Sequence, residues 1–204
     1  MTTRLDLRTM LRRRLEDTSG SPLWDDATLH DVLADALGLY GVRFPAEKTA
    51  LAVSMAGSVV VPFTPHLEGR EIVRVLDPGG RSVARMRWES IGPAWSVAQA
   101  WRWWNGSLIL QLPAVGGTWQ VDYLARRELP ADDVTAVDIR AGDEEIVVLL
   151  AAAGALLRRA VEQGKRGLET ADLILARVAE CHAREAERLM ASRRRRASGG
   201  WMGE

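Results

Sequence analysis

Few side chains in this sequence are of the types that carry out catalysis or bind metals. The three histidines, His30, His66 and His182, lie in unrelated segments, and the single cysteine, Cys181, directly precedes His182. A cysteine nucleophile needs a base that reaches its sulfur, but adjacent helix positions point about 100° apart. We therefore interpret Cys181 as a core cysteine, and we exclude a zinc site of the usual cysteine-rich kind.

Two acidic clusters, Asp132-Asp133 and Asp143-Glu144-Glu145, could supply carboxylate ligands to a metal ion. We interpret the first as turn residues and the second as the first turn of a helix, where carboxylates favour the positive end of the dipole. The glycine pairs at 79–80 and 116–117 lack the context and the Lys-Ser/Thr of a phosphate-binding loop. The sequence thus predicts no enzyme, no catalytic residues, no metal site and no cofactor.

A tryptophan-rich segment, Trp101-Arg102-Trp103-Trp104, is better suited to binding. In a strand, Trp101 and Trp103 share one face and Trp104 lies on the other. One interpretation is a sandwich core with one tryptophan at its edge. The other is a stacking platform for a protein partner, a glycan or single-stranded nucleic acid, with Trp101 and Trp104 as its contact surface.

The C-terminal end is strongly basic, because Arg193, Arg194, Arg195 and Arg196 are followed by a Ser/Gly-rich segment and Trp201. This pattern fits either a frayed, solvated tail or an arm that becomes ordered when it docks on a partner. In the second case, the arginines provide charge and Trp201 is the anchor. We predict a flexible basic tail over residues 193–204.

The composition bounds the class of protein. The chain has 204 residues, 27 basic and 27 acidic, so its formal net charge is zero, and 47% of its residues are hydrophobic. A uniformly basic nucleic-acid binder and an acidic disordered chain are therefore excluded. One cysteine cannot form an intramolecular disulfide, which fits a protein that folds in a reducing compartment. No signal peptide is visible, and the longest apolar run, 146–157, is shorter than the roughly 20 residues that a membrane span needs.

Arginine and tryptophan are unusually frequent. The basic residues are 25 Arg and 2 Lys, and there are 8 Trp against 2 Tyr and 2 Phe. Both residues are favoured at protein interfaces. A GC-rich genome would also raise the arginine content, although it accounts less well for the tryptophans.

The N-terminal segment predicts two helices. Leu7, either Met10 or Leu11, and Leu15 recur at helical spacing from about Thr3 to Asp17. Arg4, Arg8 and Arg12 share another face of this helix. A second helix begins after Asp25 as its N-cap, and Gly41 is predicted to close it at the C′ position.

The character of the chain changes after Pro45. Short β-prone runs follow, and the Asp77-Pro78-Gly79-Gly80 turn ends one of them. Asn105-Gly106 stands between two more such runs, and this dipeptide is a strong hairpin signal. A further strand is predicted over Gly117 to Ala125, so that five to seven strands form a small antiparallel sandwich or barrel.

Two helices return after this β-rich segment. The first begins at Asp143, is apolar nearly all round and stops at Gly164. The last runs from about Thr170 past Leu189. We expect six of its apolar residues to lie inside: Leu173, Ile174, Val178, Cys181, Leu189 and Met190.

The predicted fold class is α+β, a helical scaffold of two N-terminal and two C-terminal helices with an inserted antiparallel β-sandwich or barrel-like module. The scaffold covers residues 1–44 and 131–192, and the β-module covers residues 45–130. The tail covers residues 193–204.

Several segments resemble the head–tail adaptor (connector) proteins of tailed bacteriophages. These proteins have a Leu/Arg-rich first helix, a Gly/Ser loop and a Trp-x-Asp-Ala-x-Leu opening of the second helix. The matching segments are residues 7–17 (LRTMLRRRLED), 24–29 (WDDATL) and 33–37 (LADAL). Residues 119–130 (WQVDYLARRELP) and 138–144 (DIRAGDE) are similar to larger adaptors that carry a β-insertion.

The resemblance implies a structural virion protein, made in the host cytoplasm and located at the head–tail neck. Its partners are the portal protein, tail or neck proteins, and further copies of itself in a ring, usually dodecameric. The ring extends the DNA channel without sequence-specific binding and provides a platform for the tail. The C-terminal segment, here Arg193 to Arg196 and Trp201, is implied to dock on the portal, and we assign ring-subunit contacts to Arg4, Arg8 and Arg12.

Two alternative functions stay open from the sequence. The first is a Trp-rich β-module on a helical stalk that binds a glycan or single-stranded nucleic acid. The second is another neck or tail-completion protein of the same class of virion.

Overall fold

The computed structural model describes residues 1–63, 72–86, 99–167 and 169–198, and for residues 169–170 and 194–198 it describes the backbone only. The described chain divides into two compact units. The helical unit comprises residues 1–45 and 126–204, and the β-unit comprises residues 46–125. The predicted fold class is confirmed, because four helices and a seven-stranded barrel-like sheet occur in the described part of the chain.

The first helix, α1, covers Arg4–Arg14. The side chain of Thr3 accepts a hydrogen bond from the backbone N–H of Asp6, and the Asp6 carboxylate accepts one from the N–H of Thr3. This reciprocal capping box starts the helix. The helix ends earlier than predicted, because Glu16 adopts a φ of 55°, which an α-helix does not accommodate.

The second helix, α2, covers Asp26–Arg43, and the predicted N-cap is confirmed because Asp25 accepts a hydrogen bond from the N–H of Thr28. The prediction that Gly41 closes the helix is wrong, since Gly41 lies inside it and is buried. A Cβ at this position would approach the backbone nitrogen of Arg127 to 3.4 Å. Gly41 therefore lies inside the helix at ordinary contact distance from Arg127 and does not form a turn.

The C-terminal helices pack against each other as an antiparallel pair. α3 covers Glu144–Lys165 and starts after Asp143, where the sequence predicted the helix to begin, and α4 covers Glu169–Ser198. The α4 side of the pair is formed by small and apolar residues, namely Ala179, Ala186 and Met190. The predicted flexible tail therefore begins as helix, since α4 continues through Arg193 to Ser198.

The prediction for the buried face of α4 is partly wrong. Leu173, Ile174, Val178 and Cys181 are exposed, whereas Met190 is buried and Leu189 packs against the core. The residues that touch the core recur at 175, 179, 183, 186 and 190, so they form one helical stripe. Ile174, Val178 and Cys181 lie on another face, which α3 does not cover.

The core of the helical unit joins all four helices. α1 contributes Leu7 and Leu11, and α2 contributes an apolar stripe. α3 is the most buried helix, as its uniformly apolar middle predicted, with Ile146, Val147 and Leu149 among its buried residues. The stripe of α2 consists of Leu29, Val32, Leu33, Ala36, Leu37 and Tyr40.

The β-unit is one sheet with the strand order β1-β7-β3-β4-β5-β6-β2. Its pairings are antiparallel except for the short parallel pairing of β4 with β5. This parallel pair departs from the purely antiparallel prediction. The strands are β1 Ala46–Ser54, β2 Val60–Pro62, β3 Ile72–Leu76, β4 Ser82–Arg85, β5 Ala100–Trp104, β6 Ser107–Leu110 and β7 Gly117–Ala125.

Both predicted turns form hairpins. β5 and β6 are joined at Asn105 and Gly106, whose φ angles of 46° and 75° are those that a two-residue hairpin turn requires. The turn at residues 77–80 joins β3 to β4. The ladder between β1 and β7 is the longest and pairs all nine residues of each strand, from Ala46 with Ala125 to Ser54 with Gly117.

The C-terminal boundary of the β-unit differs from the prediction of residue 130. Residues 126–130 belong to the helical unit. The reason is the side chain of Arg127, which is buried and donates hydrogen bonds to the carbonyl oxygens of Phe44 and Asp138. These bonds fix the chain to the helical unit as soon as β7 ends.

Candidate docking surfaces

The three arginines assigned to ring contacts are engaged within the chain. Arg4 and Arg8 both bind Asp133, with Arg4 Nε at 2.6 Å from one carboxylate oxygen and Arg8 Nη2 at 3.0 Å from the other. The pKa of Asp133 is lowered, mainly by the hydrogen bond from Arg4. The two guanidinium groups therefore tie α1 to the loop before α3.

Arg12 closes the loop between α1 and α2. Its guanidinium binds Asp17 at 2.6 Å and Asp26 at 2.7 Å. The buried carboxylate of Asp17 also accepts a hydrogen bond of 2.6 Å from the N–H of Leu23. A sequence pattern that predicts an outer basic face thus forms an internal network, because its carboxylate partners lie elsewhere in the chain.

His30 lies beside this network, with its Nε2 atom 2.7 Å from Arg8 Nη1. Because a guanidinium only donates hydrogen bonds, this contact requires the neutral imidazole. Burial lowers the pKa of His30, as do the charges of Arg4 and Arg8, while Asp133 and Asp26 oppose them.

We expect the helical unit to lose stability as the pH falls from 7 to 5. A folded-state pKa below the unfolded value of about 6.5 contributes stability above that value, and this stability is lost as pH falls through the folded pKa. Urea unfolding across this pH range should show a smaller pH dependence for His30→Gln. The same pH series measured on His182→Gln serves as the comparison, since burial also lowers the pKa of His182. An unchanged pH profile for His30→Gln would contradict the role of the Arg8–His30 contact.

The first of the predicted docking arginines forms an internal contact. Arg193 Nε lies 2.7 Å from Asp143, and Arg193 Nη2 donates to the carbonyl oxygen of Gly142 at 2.7 Å. Asp143 is only 2% exposed and also accepts a hydrogen bond of 2.7 Å from the hydroxyl of Tyr40. We call Arg193, Asp143 and Tyr40 the C-terminal clasp. It fixes the C-terminal part of α4 to the start of α3.

The clasp coincides with a shifted pKa of Tyr40 and with a glycine beside Arg193. Burial raises the pKa of Tyr40 to about 12, and the hydrogen bond to Asp143 adds to this effect. Gly142 has a φ of 83°, and a Cβ there would lie 3.0 Å from the Arg193 guanidinium. The approach therefore depends on glycine.

The structure describes the remaining proposed docking residues only in part. Arg194, Arg195 and Arg196 continue α4 beyond the clasp, and only their helical backbone is described. Trp201 and His66 lie outside the described residues.

The tryptophan segment separates into core and surface residues. Trp101 is 2% exposed and donates a hydrogen bond of 3.0 Å to the carbonyl oxygen of Val83, so it belongs to the core. Trp103 is half-buried against Phe63. Trp104 is 69% exposed. Of the two predicted contact residues, the strand therefore presents Trp104 to solvent and places Trp101 inside.

One end of the β-unit carries an exposed apolar surface. Backbone hydrogen bonds from Gly57 to Ala114 and from Ala114 to Ser58 bring two turns together. Residues 49–63 and 103–121 contain no charged side chain. We call this surface the apolar rim; its exposed members are Val53, Met55, Val59 and Val115.

Arg127 has a structural role that its sequence context did not indicate. Besides Phe44 and Asp138, it donates to the carbonyl oxygen of Pro45 at 3.3 Å and lies over the ring of Tyr40. It thereby holds together the two points at which the chain leaves and re-enters the helical unit. No local pattern distinguishes it from the other arginines, since its acceptors are far away in sequence.

The described residues provide few groups that could bind a metal ion or carry out catalysis. No group of three or more His, Cys, Asp or Glu among them could hold a metal ion, and Cys181 is exposed instead of lying in the core as predicted. Asp132 accepts hydrogen bonds from the N–H groups of Val134 and Thr135, so its predicted turn role is confirmed. None of the described helices is both long and apolar enough to span a membrane.

An open groove of about 470 Å³ lies beside α1. Arg14 and Glu145 line it, and they form an ion pair of 2.9 Å with each other. Their charges are therefore already balanced inside the groove. Its other lining residues are Met10, Arg13, Glu16 and Val148.

Comparison with known proteins gives no family assignment, because no protein-family model matches the chain and no curated protein shows significant sequence similarity to it.

Proposed function

We propose that this chain is a structural virion protein of tailed bacteriophages, a head–tail adaptor that forms a ring beneath the portal. Such a ring extends the DNA channel and provides the platform for the tail. Two features support the proposal: the resemblance of residues 7–17, 24–29 and 33–37 to adaptor proteins, and a helical scaffold interrupted by a β-module. Its partners are the portal protein, tail or neck proteins and further copies of the chain.

The observation that carries the proposal is the course of α4 beyond the contact at Arg193. The clasp holds α4 at Arg193, and the helix then continues over Arg194, Arg195 and Arg196. A basic segment that is already helical loses less conformational entropy on docking than a disordered tail. Arginine also forms bidentate bonds with carboxylates. The segment is therefore suited to an acidic surface on the portal.

The other surfaces fit the same function. The apolar rim lacks charge, so it can be covered by a tail or neck protein without the cost of removing charged groups from water. The zero net charge suits a channel, because a strongly basic lining would retain the DNA that must pass.

Deleting residues 194–204 should weaken binding to the portal by about tenfold or more, because truncating an arginine or tryptophan anchor commonly costs about 2 kcal/mol or more. The deletion leaves Arg193, and with it the clasp, in place. Co-sedimentation with the portal protein of the same virus measures the effect. The matched control is Arg184→Ala with Arg188→Ala, which removes two arginines from the exposed surface of α4.

Each result of this experiment has a separate meaning. Undiminished binding of the truncated chain would remove the C-terminal segment from the docking surface. An intact chain that neither binds the portal nor forms rings on it would contradict the adaptor function itself.

A second candidate function is a β-module that binds a glycan or single-stranded nucleic acid, and the exposure of Trp104 favours it. Arg102 lies on the same face of β5 and is also exposed. If this function is correct, the tryptophan fluorescence should shift on titration with oligonucleotides or oligosaccharides, and Trp104→Ala should abolish the shift, because stacking contributes about 1–3 kcal/mol per base. No response to either ligand would exclude this candidate.

A further inference from the structure

Tyr40 takes part in both of the buried networks of the helical unit. Its hydroxyl donates the hydrogen bond of 2.7 Å to Asp143 that belongs to the C-terminal clasp. The guanidinium carbon of Arg127 lies over its ring, 5.5 Å from the ring centre. Tyr40 itself is fully buried. The clasp and the network of Arg127 therefore meet at one residue that solvent does not reach.

On one side of Tyr40, contacts lead to the two points where the chain leaves and re-enters the helical unit. Arg127 Nε donates a hydrogen bond of 2.6 Å to the carbonyl oxygen of Phe44, and Nη2 donates one of 3.3 Å to that of Pro45. The rings of Tyr40 and Phe44 also pack together, with their centres 5.1 Å apart. We call Phe44, Pro45 and Arg127 the junction. Tyr40 thus contacts two of its three members.

On the other side of Tyr40, contacts lead to the C-terminal part of α4. Arg193 Nε lies 2.7 Å from one carboxylate oxygen of Asp143, and the hydroxyl of Tyr40 binds the other oxygen. The carboxylate of Asp143 is buried. If Arg193 leaves, this buried charge keeps the hydroxyl but loses its ion pair.

A buried carboxylate without its ion pair is costly, because the protein interior does not replace the water that the charge has lost. The cost falls if water enters or if the carboxylate shifts, and either change disturbs the hydroxyl of Tyr40 that is bound to it. The ring of Tyr40 cannot shift alone, since it packs against Phe44 and Arg127. Closely packed interiors rearrange as groups of neighbours. Opening the clasp therefore loosens the junction.

We propose that the clasp and the junction form one cooperative unit, which couples the order of the C-terminal part of α4 to the order of the residues that lead to the β-unit. Such coupling is reciprocal. Docking of residues 194–204 on a helical α4 end favours the closed clasp, so it also favours the ordered junction. This consequence for docking rests on the proposed adaptor function, whereas the coupling itself is a property of the isolated chain.

Arg193→Ala in the isolated chain provides the first test, with hydrogen exchange followed by NMR. The N–H of Phe44 donates a hydrogen bond of 2.9 Å to the carbonyl oxygen of Tyr40, so its exchange reports on the junction. This exchange should become about threefold faster or more, which lies within the range of coupling between residues of one network. Arg188→Ala removes an exposed arginine from the same helix and should leave the exchange unchanged.

The amides of Leu33 and Leu149 separate this coupling from a general loss of stability. Both residues are buried in the core of the helical unit, inside α2 and α3. Arg193→Ala should accelerate the Phe44 amide by a larger factor than these two. Equal factors at all three amides would show a fold that is loosened as a whole and would overturn the proposal. An unchanged Phe44 amide would overturn it as well.

Tyr40→Phe tests whether the hydroxyl carries the coupling. Phenylalanine keeps the ring against Phe44 and Arg127 but donates no bond to the clasp. In this background, Arg193→Ala should change the exchange of the Phe44 amide by less than about twofold, because the clasp and the junction are already separated. An effect as large as in the unchanged chain would contradict the role of Tyr40 and overturn the proposal.

The consequence for docking is measured by hydrogen exchange and mass spectrometry on peptides that contain Phe44, with and without the portal protein. Binding should slow this exchange by about threefold or more in the unchanged chain, but by less than about twofold in Arg193→Ala. Equal slowing in both chains, or faster exchange on binding, would overturn the proposal. A portal protein that does not bind would contradict the adaptor function alone, because the exchange of the isolated variants decides whether the clasp and the junction are coupled.

Discussion

Replacing Arg127 with methionine should lower the free energy of unfolding of the helical unit by about 1–3 kcal/mol, the usual cost of leaving a buried hydrogen-bonding group without its partner. Arg127 is buried and donates to the carbonyl oxygens of Phe44, Pro45 and Asp138. Methionine fills a similar volume but donates no hydrogen bond. The carbonyl oxygen of Phe44, whose bond to Arg127 is buried, therefore loses its partner without gaining access to water.

The adjacent Arg126 provides the matched control. It is exposed, and Arg126→Met should change stability by less than about 1 kcal/mol. Urea unfolding followed by circular dichroism at 222 nm reports mainly on the helices and measures both variants. Equal effects of the two substitutions would show that the hydrogen bonds of Arg127 contribute little. Arg127→Lys should remain strongly destabilised, because lysine lacks the planar fork that reaches several acceptors.

Replacing Asp143 with alanine should cost about 2–4 kcal/mol. The substitution leaves the buried hydroxyl of Tyr40 without its acceptor and removes the ion pair with Arg193. An unsatisfied buried polar group costs about 1–3 kcal/mol, and the lost pair adds to this. The C-terminal part of α4 should also become accessible to proteolysis, because the clasp no longer holds it.

Two further variants separate the parts of this clasp. Tyr40→Phe removes the hydroxyl together with the hydrogen bond that it donates to Asp143. This substitution should cost only about 0.5–1.5 kcal/mol. Glu145→Ala, at the same helix start, removes an exposed pair with Arg14 and should cost about 1 kcal/mol or less. If Asp143→Ala were no more destabilising than Glu145→Ala, the clasp would not stabilise the fold.

These two networks bear on the proposed function. Arg127 fixes the points where the β-unit is inserted, and the clasp fixes the helix that carries the basic C-terminal segment. Variants of either network should therefore weaken docking indirectly, through the position or order of a surface. For this reason, the docking experiment removes residues 194–204, because their removal leaves both networks intact.

Local sequence signals predicted the elements of this fold well. The N-cap Asp25, the start of α3 at Asp143, the Asn105-Gly106 hairpin and the strand Gly117–Ala125 were all recognised from the sequence. Each depends on interactions within a few residues: a cap with the next turn, a positive φ, or alternation along one strand. The inserted β-module was likewise recognisable from the change of periodicity.

Only the tertiary structure decided which of these residues face solvent and which are already engaged. Arg4, Arg8 and Arg193 find carboxylates more than 45 residues away in the chain, and Gly41 lies inside α2, where Arg127 packs against it. Ile174, Val178 and Cys181 of α4 are exposed because α3 covers only one stripe of α4. Helical periodicity alone does not show which stripe is covered. A sequence pattern specifies how a segment folds locally, whereas the neighbour that covers each face depends on contacts between distant segments.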